Sequence, residues 1–473
     1  MNLNNFSDLK GVKAILSDED IADVVKLASV LKLGQKTTEE LVSLAYKQPH
    51  GVADLIPSIF SVVLAVAAAD GKISSSEKKE IFDPLFSSVE RHLKDECFHQ
   101  ISAMLERIPN VKDCVTYIGK LGKNINYEIF DAIIEMVAKS DDKFCFKEKE
   151  FLDNFRIKTN RTQAVPVVAT MSSGKSTLIN AMLRSDLLPS ENQACTATVL
   201  KVENYDGIVT PYARSTRLAE GVSDWQPVSA QKLKEWNSQG VAEVEILGNF
   251  SKIDFKKAHM VLYDTPGPNN AMDKSHAEIT NSILEQAQYG QVVVVLNAEQ
   301  FGINDELNFL DRLKFVASSK SEHVRFLFVL NKFDCLDLDD ESSLQFILKV
   351  RKMLNEVDLK RPVLIPTMSR LALDIRTVLD VSPTTGLTWT NRRQKKLLRD
   401  IEYLEENSAH YQEAISHTKT NQKLYLNAKQ NAFVEMSGDS IELGDQLIPR
   451  NRLLEADLLT GIPILEAALS QSK

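Results

Sequence analysis

The sequence predicts an α/β domain built on a doubly wound, mostly parallel sheet, with a separate all-α domain before it. Three observations carry this. Residues 164–169 (Ala-Val-Pro-Val-Val-Ala) and 324–330 (Val-Arg-Phe-Leu-Phe-Val-Leu) are short apolar runs of the kind buried on both faces of a parallel sheet. Each runs into a small polar cluster, and residues 257–263 run into another, which lies between those two in the chain, at Asp264-Thr265-Pro266-Gly267. The first 155 residues carry no such cluster and read as helical. We place the domains at 1–158 and 159–473, with a polar, helix-compatible insertion at 376–455 inside the second.

The first cluster, Ala169-Thr170-Met171-Ser172-Ser173-Gly174-Lys175-Ser176-Thr177, sits between a strand and residues 177–184, whose Leu178, Ile179 and Met182 have helical spacing. Small residues there let successive backbone N–H groups turn inward, and the helix start adds partial positive charge, which together cradle phosphates. This is a phosphate loop: Ser173, Gly174, Lys175, Ser176 and Thr177 are nucleotide-binding candidates. Lys175 is expected on the β- and γ-phosphates and the Ser176 hydroxyl on Mg²⁺. Ala169 stands where such loops usually open with Gly, which a residue of negative φ tolerates. Asp264 is a second candidate for Mg²⁺, through a water, and the Gly267 N–H one for the γ-phosphate.

The third cluster is Asn331-Lys332-Phe333-Asp334. A carboxylate at Asp334 can accept from guanine N1 and the exocyclic amine. Adenine lacks those donors, so an adenine nucleotide would leave the carboxylate unpaired. Asn331 is expected to brace the loop and Lys332 to lay its stem along the base. Residues 364–370 offer a further element, with Ser369 and its neighbours against the base. The order of the clusters implies a GTP-binding, GTP-hydrolysing enzyme, with GTP and GDP as its ligands.

Residues 171–181, then Leu187-Leu188-Pro189-Ser190, Cys195-Thr196-Ala197 and Asp264-Thr265-Pro266-Gly267-Pro268-Asn269, resemble the bacterial dynamin-like GTPases. The likeness covers residues 160–375 and resumes at Thr460-Gly461-Ile462-Pro463-Ile464-Leu465-Glu466, similar to the closing helix of such a domain. The resemblance implies weak GTP binding, a nucleotide-dependent homodimer and action at membranes. It implies three catalytic residues: Lys175, Ser172 stabilising developing charge, and Thr196 ligating Mg²⁺ and orienting the attacking water. Thr198 competes for that last role. Some eukaryotic relatives carry glutamine where Met171 stands, and no arginine finger is evident, so slow turnover by the isolated protein is expected. A membrane lipid or a stalk-bearing protein is the expected partner, since a stalk normally follows the closing helix and this chain has few residues left there. The alternative is a slow GTP-dependent switch that recruits a protein through its helical N-terminal domain.

The charge balance is −9 (56 Lys+Arg against 65 Asp+Glu), which argues against nucleic acid as a partner. Five cysteines occur singly, with no Cys-x-x-Cys, as in a reducing compartment; a cytoplasmic location, peripheral at a membrane, is expected. Cys195 is the one to watch for oxidation. The first residues lack a signal peptide's basic and apolar regions, and residues 56–69 are too short to span a bilayer and read as a buried helix. A weak duplication pairs Ala69-Asp70-Gly71-Lys72-Ile73 and Glu77 with Ser140-Asp141-Asp142-Lys143-Phe144 and Glu148, resembling TerB-like helical modules. Ser74 to Glu77 fits a capping box; the alternating ligands of a calcium loop are missing. Within the insertion, Arg392, Arg393, Lys395 and Lys396 followed by Asp400, Glu402, Glu405 and Glu406 read as a solvated helix face.

Overall fold

The computed structural model describes residues 16–69, 71, 73, 78–93, 95–123, 125–138, 145–159, 161–170, 172–189, 198–205, 208, 210–217, 221–239, 241–248, 259–265, 291–302, 308–311, 313, 324–336, 342–356, 362–381, 387–434 and 439–471. Two compact units emerge, residues 1–162 and 163–473.

The first unit is helical throughout its described residues. Its centre is the helix Val52–Ala67, in which every residue from Leu55 onward is buried. Burial on all sides is what an uninterrupted apolar run requires in water. The helices Asp95–Glu106, Val111–Gly119 and Glu128–Ala138 pack around it. The Ser58 hydroxyl donates to the Tyr117 carbonyl at 3.1 Å, so the central helix's polar side chain is satisfied inside the core. Two helices start with reciprocal caps, Ser17 with Asp20 and Asn110 with Asp113. Both halves of the internal duplication place an apolar helix ahead of the repeat; the acidic turns themselves and the cap expected at Ser74 lie outside the described residues. None of the described helices is long and apolar enough to cross a membrane.

The second unit is built on a ten-stranded sheet in the order β10-β9-β8-β1-β7-β2-β6-β3-β4, with β5 on β3. Its strands are β1 (Thr162–Ala169), β2 (Val199–Asn204), β3 (Tyr212–Arg217), β4 (Gly221–Val222), β5 (Gln226–Pro227), β6 (Glu243–Gly248), β7 (His259–Asp264), β8 (Gln291–Asn297), β9 (Arg325–Asn331) and β10 (Val363–Pro366). The pairs β10/β9, β9/β8 and β8/β1 are parallel. Beyond β7 the sheet is mixed: β2 is antiparallel to β7 and parallel to β6, and β3 is antiparallel to β6. Alternation within β8 sends Val293 and Val295 to one core and Val292, Val294 and Leu296 to the other, which is why the strand reads as a solid apolar run. The helices Lys175–Leu183 and Ile462–Leu469 cover the first face, and Ser343–Glu356 the second.

The polar stretch after residue 390 is structural. It forms the helices Asn391–Glu406, Ser408–Ile415 and Lys419–Val434, then a hairpin of β11 (Ser440–Leu443) and β12 (Gln446–Pro449) turning at Gly444. Leu397, Leu398, Ile401 and Leu404 recur at helical spacing and are buried in one core, while Ile415, Leu424 and Ala428 enter the other. The buried Asn421 amide donates to the Leu364 carbonyl at 2.7 Å, capping the edge of β10.

Arg376 binds the end of the phosphate-loop helix to the last two helices. It is 1% exposed, donates to both Asp457 oxygens at 2.9 Å and to Glu466 at 2.5 and 3.0 Å, and reaches the Ala181 carbonyl at 3.1 Å. These paired carboxylates hold its pKa above the ordinary guanidinium value against the opposing effect of burial.

Ile401→Ala is expected to cost about 2–5 kcal/mol in urea unfolding, as for a fully buried aliphatic residue. Glu406→Ala, on the exposed face of the same helix, should stay within about 0.5 kcal/mol of the parent. Equal effects would mean the helix is not packed as described.

Candidate functional site

The site forms where β1, β7, β9 and β10 end. After β1 the chain turns through Thr170 to Gly174 into the helix Lys175–Leu183. The Ser173 hydroxyl and N–H both return to the Thr170 carbonyl, at 2.9 and 3.4 Å, which closes the turn. Ser172 and Gly174 take left-handed conformations, φ 59° and 83°. Gly174 is also fixed by space, because a Cβ there would lie 2.4 Å from the Asn331 amide nitrogen. Thr177 follows, half-buried in the first helical turn.

Lys175 and Ser176 meet the end of β7. The Lys175 ammonium donates to the Asp264 carboxylate and to the Thr265 carbonyl, and the Ser176 hydroxyl donates to the other Asp264 oxygen at 3.2 Å. The Thr265 hydroxyl donates to the Val167 carbonyl at 2.9 Å, which fastens this corner to β1. Ser176 and Asp264 thus present two hard oxygen donors side by side, a set that suits Mg²⁺, which takes one or two protein ligands and keeps its waters.

Asn331 connects this half to the loops after β9 and β10. Its Nδ2 donates to the Ser173 carbonyl at 2.8 Å. Its Oδ1 accepts from the Ser369 hydroxyl at 2.6 Å, the Ser369 N–H at 3.2 Å and the Thr367 hydroxyl at 3.3 Å. Ser369, expected against the base, is buried and directs both its donors to Asn331. Thr367 does more than the sequence suggested: its N–H reaches the Leu330 carbonyl at 2.8 Å and its carbonyl accepts from the Phe333 N–H at 3.1 Å. The next residue, Met368, donates to the Thr460 carbonyl at 2.9 Å. Gly461 then passes so close to β10 that a Cβ would fall 1.9 Å from the Pro366 carbonyl oxygen.

Lys332 is left-handed at φ 61°, and its ammonium donates to Glu299 at 2.9 Å. Asp334 is exposed as a residue, but dense protein around its carboxyl raises the pKa by desolvation. Asp400 and Glu299 push the same way, and a backbone N–H and Lys396 oppose them. Glu299 and the helix bearing Lys396 and Asp400 are contributors the sequence did not reveal, since each lies far along the chain from Asp334.

Thr196, Gly267 and Cys195 lie outside the described residues. Thr198, the competitor for the role of Thr196, is buried and donates its hydroxyl to the Val241 carbonyl at 2.6 Å, which ties it to the sheet. Asn180 anchors the start of the intervening segment through a pair of 2.8 Å hydrogen bonds to the Leu188 backbone.

The sheet, the loop entering a helix and the asparagine bridge define a nucleotide-binding domain of the phosphate-loop class. Residues 165–333 match the model of the Dynamin family. Dynamin-like protein A of Bacillus subtilis (strain 168) is 26% identical over 193 residues, which cover 41% of this chain and 15% of that protein. Over this stretch the chain is similar to dynamin-like GTPases, and it spans a small part of that relative's length. Two structures of an oligomerised bacterial dynamin pair, whose descriptions give it a mechanism for long-range sensing and tethering of membranes, match at 15% identity. Their TM-scores are 0.38 and 0.36, over 80% of this chain and 65% and 75% of theirs.

Gly174→Ala should abolish binding of fluorescent GDP while leaving the far-ultraviolet circular dichroism spectrum unchanged, because both φ and the Asn331 contact exclude a Cβ. Retained binding would mean the loop has another conformation when it functions.

Proposed function

We propose that this chain is a Mg²⁺-dependent GTPase, converting GTP to GDP and phosphate. The observation that carries the reading is Asn331: one buried carboxamide sets the phosphate loop at a fixed distance from a loop whose Asp334 can accept from guanine. Without that bridge, a phosphate loop alone would leave the base unspecified.

The chain's residues divide the work. Backbone N–H groups from Ser173 to Thr177 cradle the phosphates, and Lys175 neutralises charge on the β- and γ-phosphates. Ser176 and Asp264 would hold Mg²⁺, which when bound offsets the charge developing on the phosphates. Ser172 stabilises the leaving phosphate, and Thr196 holds the attacking water through its backbone. Gly267 N–H bonds the γ-phosphate, Asp334 selects guanine, and Lys332 lies along the base.

The likeness of residues 165–333 to the Dynamin family supports two further parts of the reading: dimerisation across the nucleotide, and a task at a membrane. We take residues 1–158 as a TerB-like docking or regulatory domain and residues 376–455 as an insertion in the GTPase domain. The protein acts in the cytoplasm, peripherally at its membrane.

Phosphate release from GTP and ATP over a range of protein concentrations tests this directly. GTP turnover should rise per molecule with concentration while ATP is ignored. Lys175→Ala should lose nucleotide binding or turnover, and full activity in that variant would sink the assignment. Asp334→Asn should lose the preference for GTP over ATP; an unchanged preference removes the guanine reading. Pelleting with liposomes only when GTP is present would support the membrane task, and a soluble protein under all conditions would count against it.

A further inference from the structure

Lys332 has an unusual position for a residue expected to lie along a base. Its backbone is left-handed, a conformation in which a side chain other than Gly or Asn is uncommon. Its ammonium is held at 2.9 Å by Glu299, which comes from a different strand end. Glu299 sits in the single turn Ala298–Gln300 that leaves β8, and its N–H donates to the Asn297 side chain at 3.1 Å. Asn297 is the register partner of Asn331 across β8 and β9.

The two turns are also welded from behind. Phe301 meets Phe346 with ring centroids 5.9 Å apart, Phe346 meets Phe333 at 6.2 Å, and Phe333 meets the buried Tyr411 at 6.3 Å. A chain of edge-to-face and tilted aromatic contacts therefore fixes the main chain on both sides of the ion pair. Burial, with the Asp334 and Glu299 carboxylates nearby, pushes the Cys335 thiol up to about 11. Within this rigid frame the flexible part is the lysine stem, and the carboxylate of Asp334 lies two residues along the same loop. A lysine released from Glu299 has that carboxylate as its nearest alternative on its own loop, and an ammonium there would compete with the guanine donors.

We propose that Glu299 is a positioning residue of the guanine pocket: it holds Lys332 along the flank where the base stacks and keeps the ammonium off Asp334. The proposal rests on the reading of Asp334 as the guanine acceptor.

The test is titration of the full-length chain with fluorescent GDP and Mg²⁺, for the parent, Glu299→Ala, Glu299→Gln and the same Glu299 changes combined with Lys332→Met. Glu299→Ala should weaken GDP about 5- to 10-fold, the scale of one charge-assisted hydrogen bond in a partly exposed site. Glu299→Gln, which keeps an acceptor oxygen, should lose less. In the Lys332→Met background, whatever its own affinity, adding Glu299→Ala should change nothing more. Because the pair is half-exposed, the thermal unfolding midpoint should stay near that of the parent. Unchanged GDP affinity in Glu299→Ala overturns the proposal, and so does an equal loss with and without Lys332. A parent that binds GDP no better than ADP overturns the guanine reading itself, which separates the two failures.

Discussion

The carboxamide of Asn331 is the constraint on which the site depends. One nitrogen holds the phosphate loop by the Ser173 carbonyl, and one oxygen collects Ser369 and Thr367 from the loop after β10. Asn331 is 2% exposed, so no water can replace a lost partner without opening the core. The same contact explains why Gly174 is glycine. The loop before the helix Lys175–Leu183 and the loop after β10 are therefore set by a single buried group rather than folding independently.

The rest of the unit supports that bridge from the far side. The helices that begin at the phosphate loop and at Ser369 both end at the Arg376 cluster, where Asp457 and Glu466 of the final helices meet them. A buried ionic cluster of this kind adds little net stability compared with apolar packing, but removing one partner strands the others. Its contribution is to dictate one arrangement of four helices. The stretch similar to the Dynamin family, residues 165–333, contains Asn331 but neither Ser369 nor Arg376. Its site is completed by residues that follow the matched region.

The strands and the order of the site loops were legible because both rest on local signals. Residues 324–330 are apolar without interruption, and Asn331 to Asp334 must follow at the strand end whatever the remaining packing. Lys175, Ser176 and Asp264 likewise meet because β1 and β7 are neighbours in the sheet. What could not be read depends on distant pairings: Glu299 with Lys332, Arg376 with Asp457, and Asn421 with Leu364. The segment after residue 390 was legible as a polar, helix-compatible stretch with a solvated charged face, but its buried side was not. Its composition is polar, yet four apolar residues at helical spacing bury one face, so average polarity concealed a core element. The mixed extension from β2 to β6 had no motif to announce it. Ser369 was visible as a polar residue in the right loop, but only the geometry shows that its donors serve Asn331.

The cap that Asn421 places on β10 has a consequence for how the protein is made. The two residues it joins are 57 positions apart, so the ribosome delivers the edge strand well before its cover. At ordinary rates of synthesis that interval is about 3–11 s. During it, the outermost strand of a growing parallel sheet presents bare N–H and C=O groups to whatever chain is nearby. The vulnerable period for this protein therefore falls while residues 367–421 are being added, and a holdase chaperone that shields exposed strand edges would matter most then.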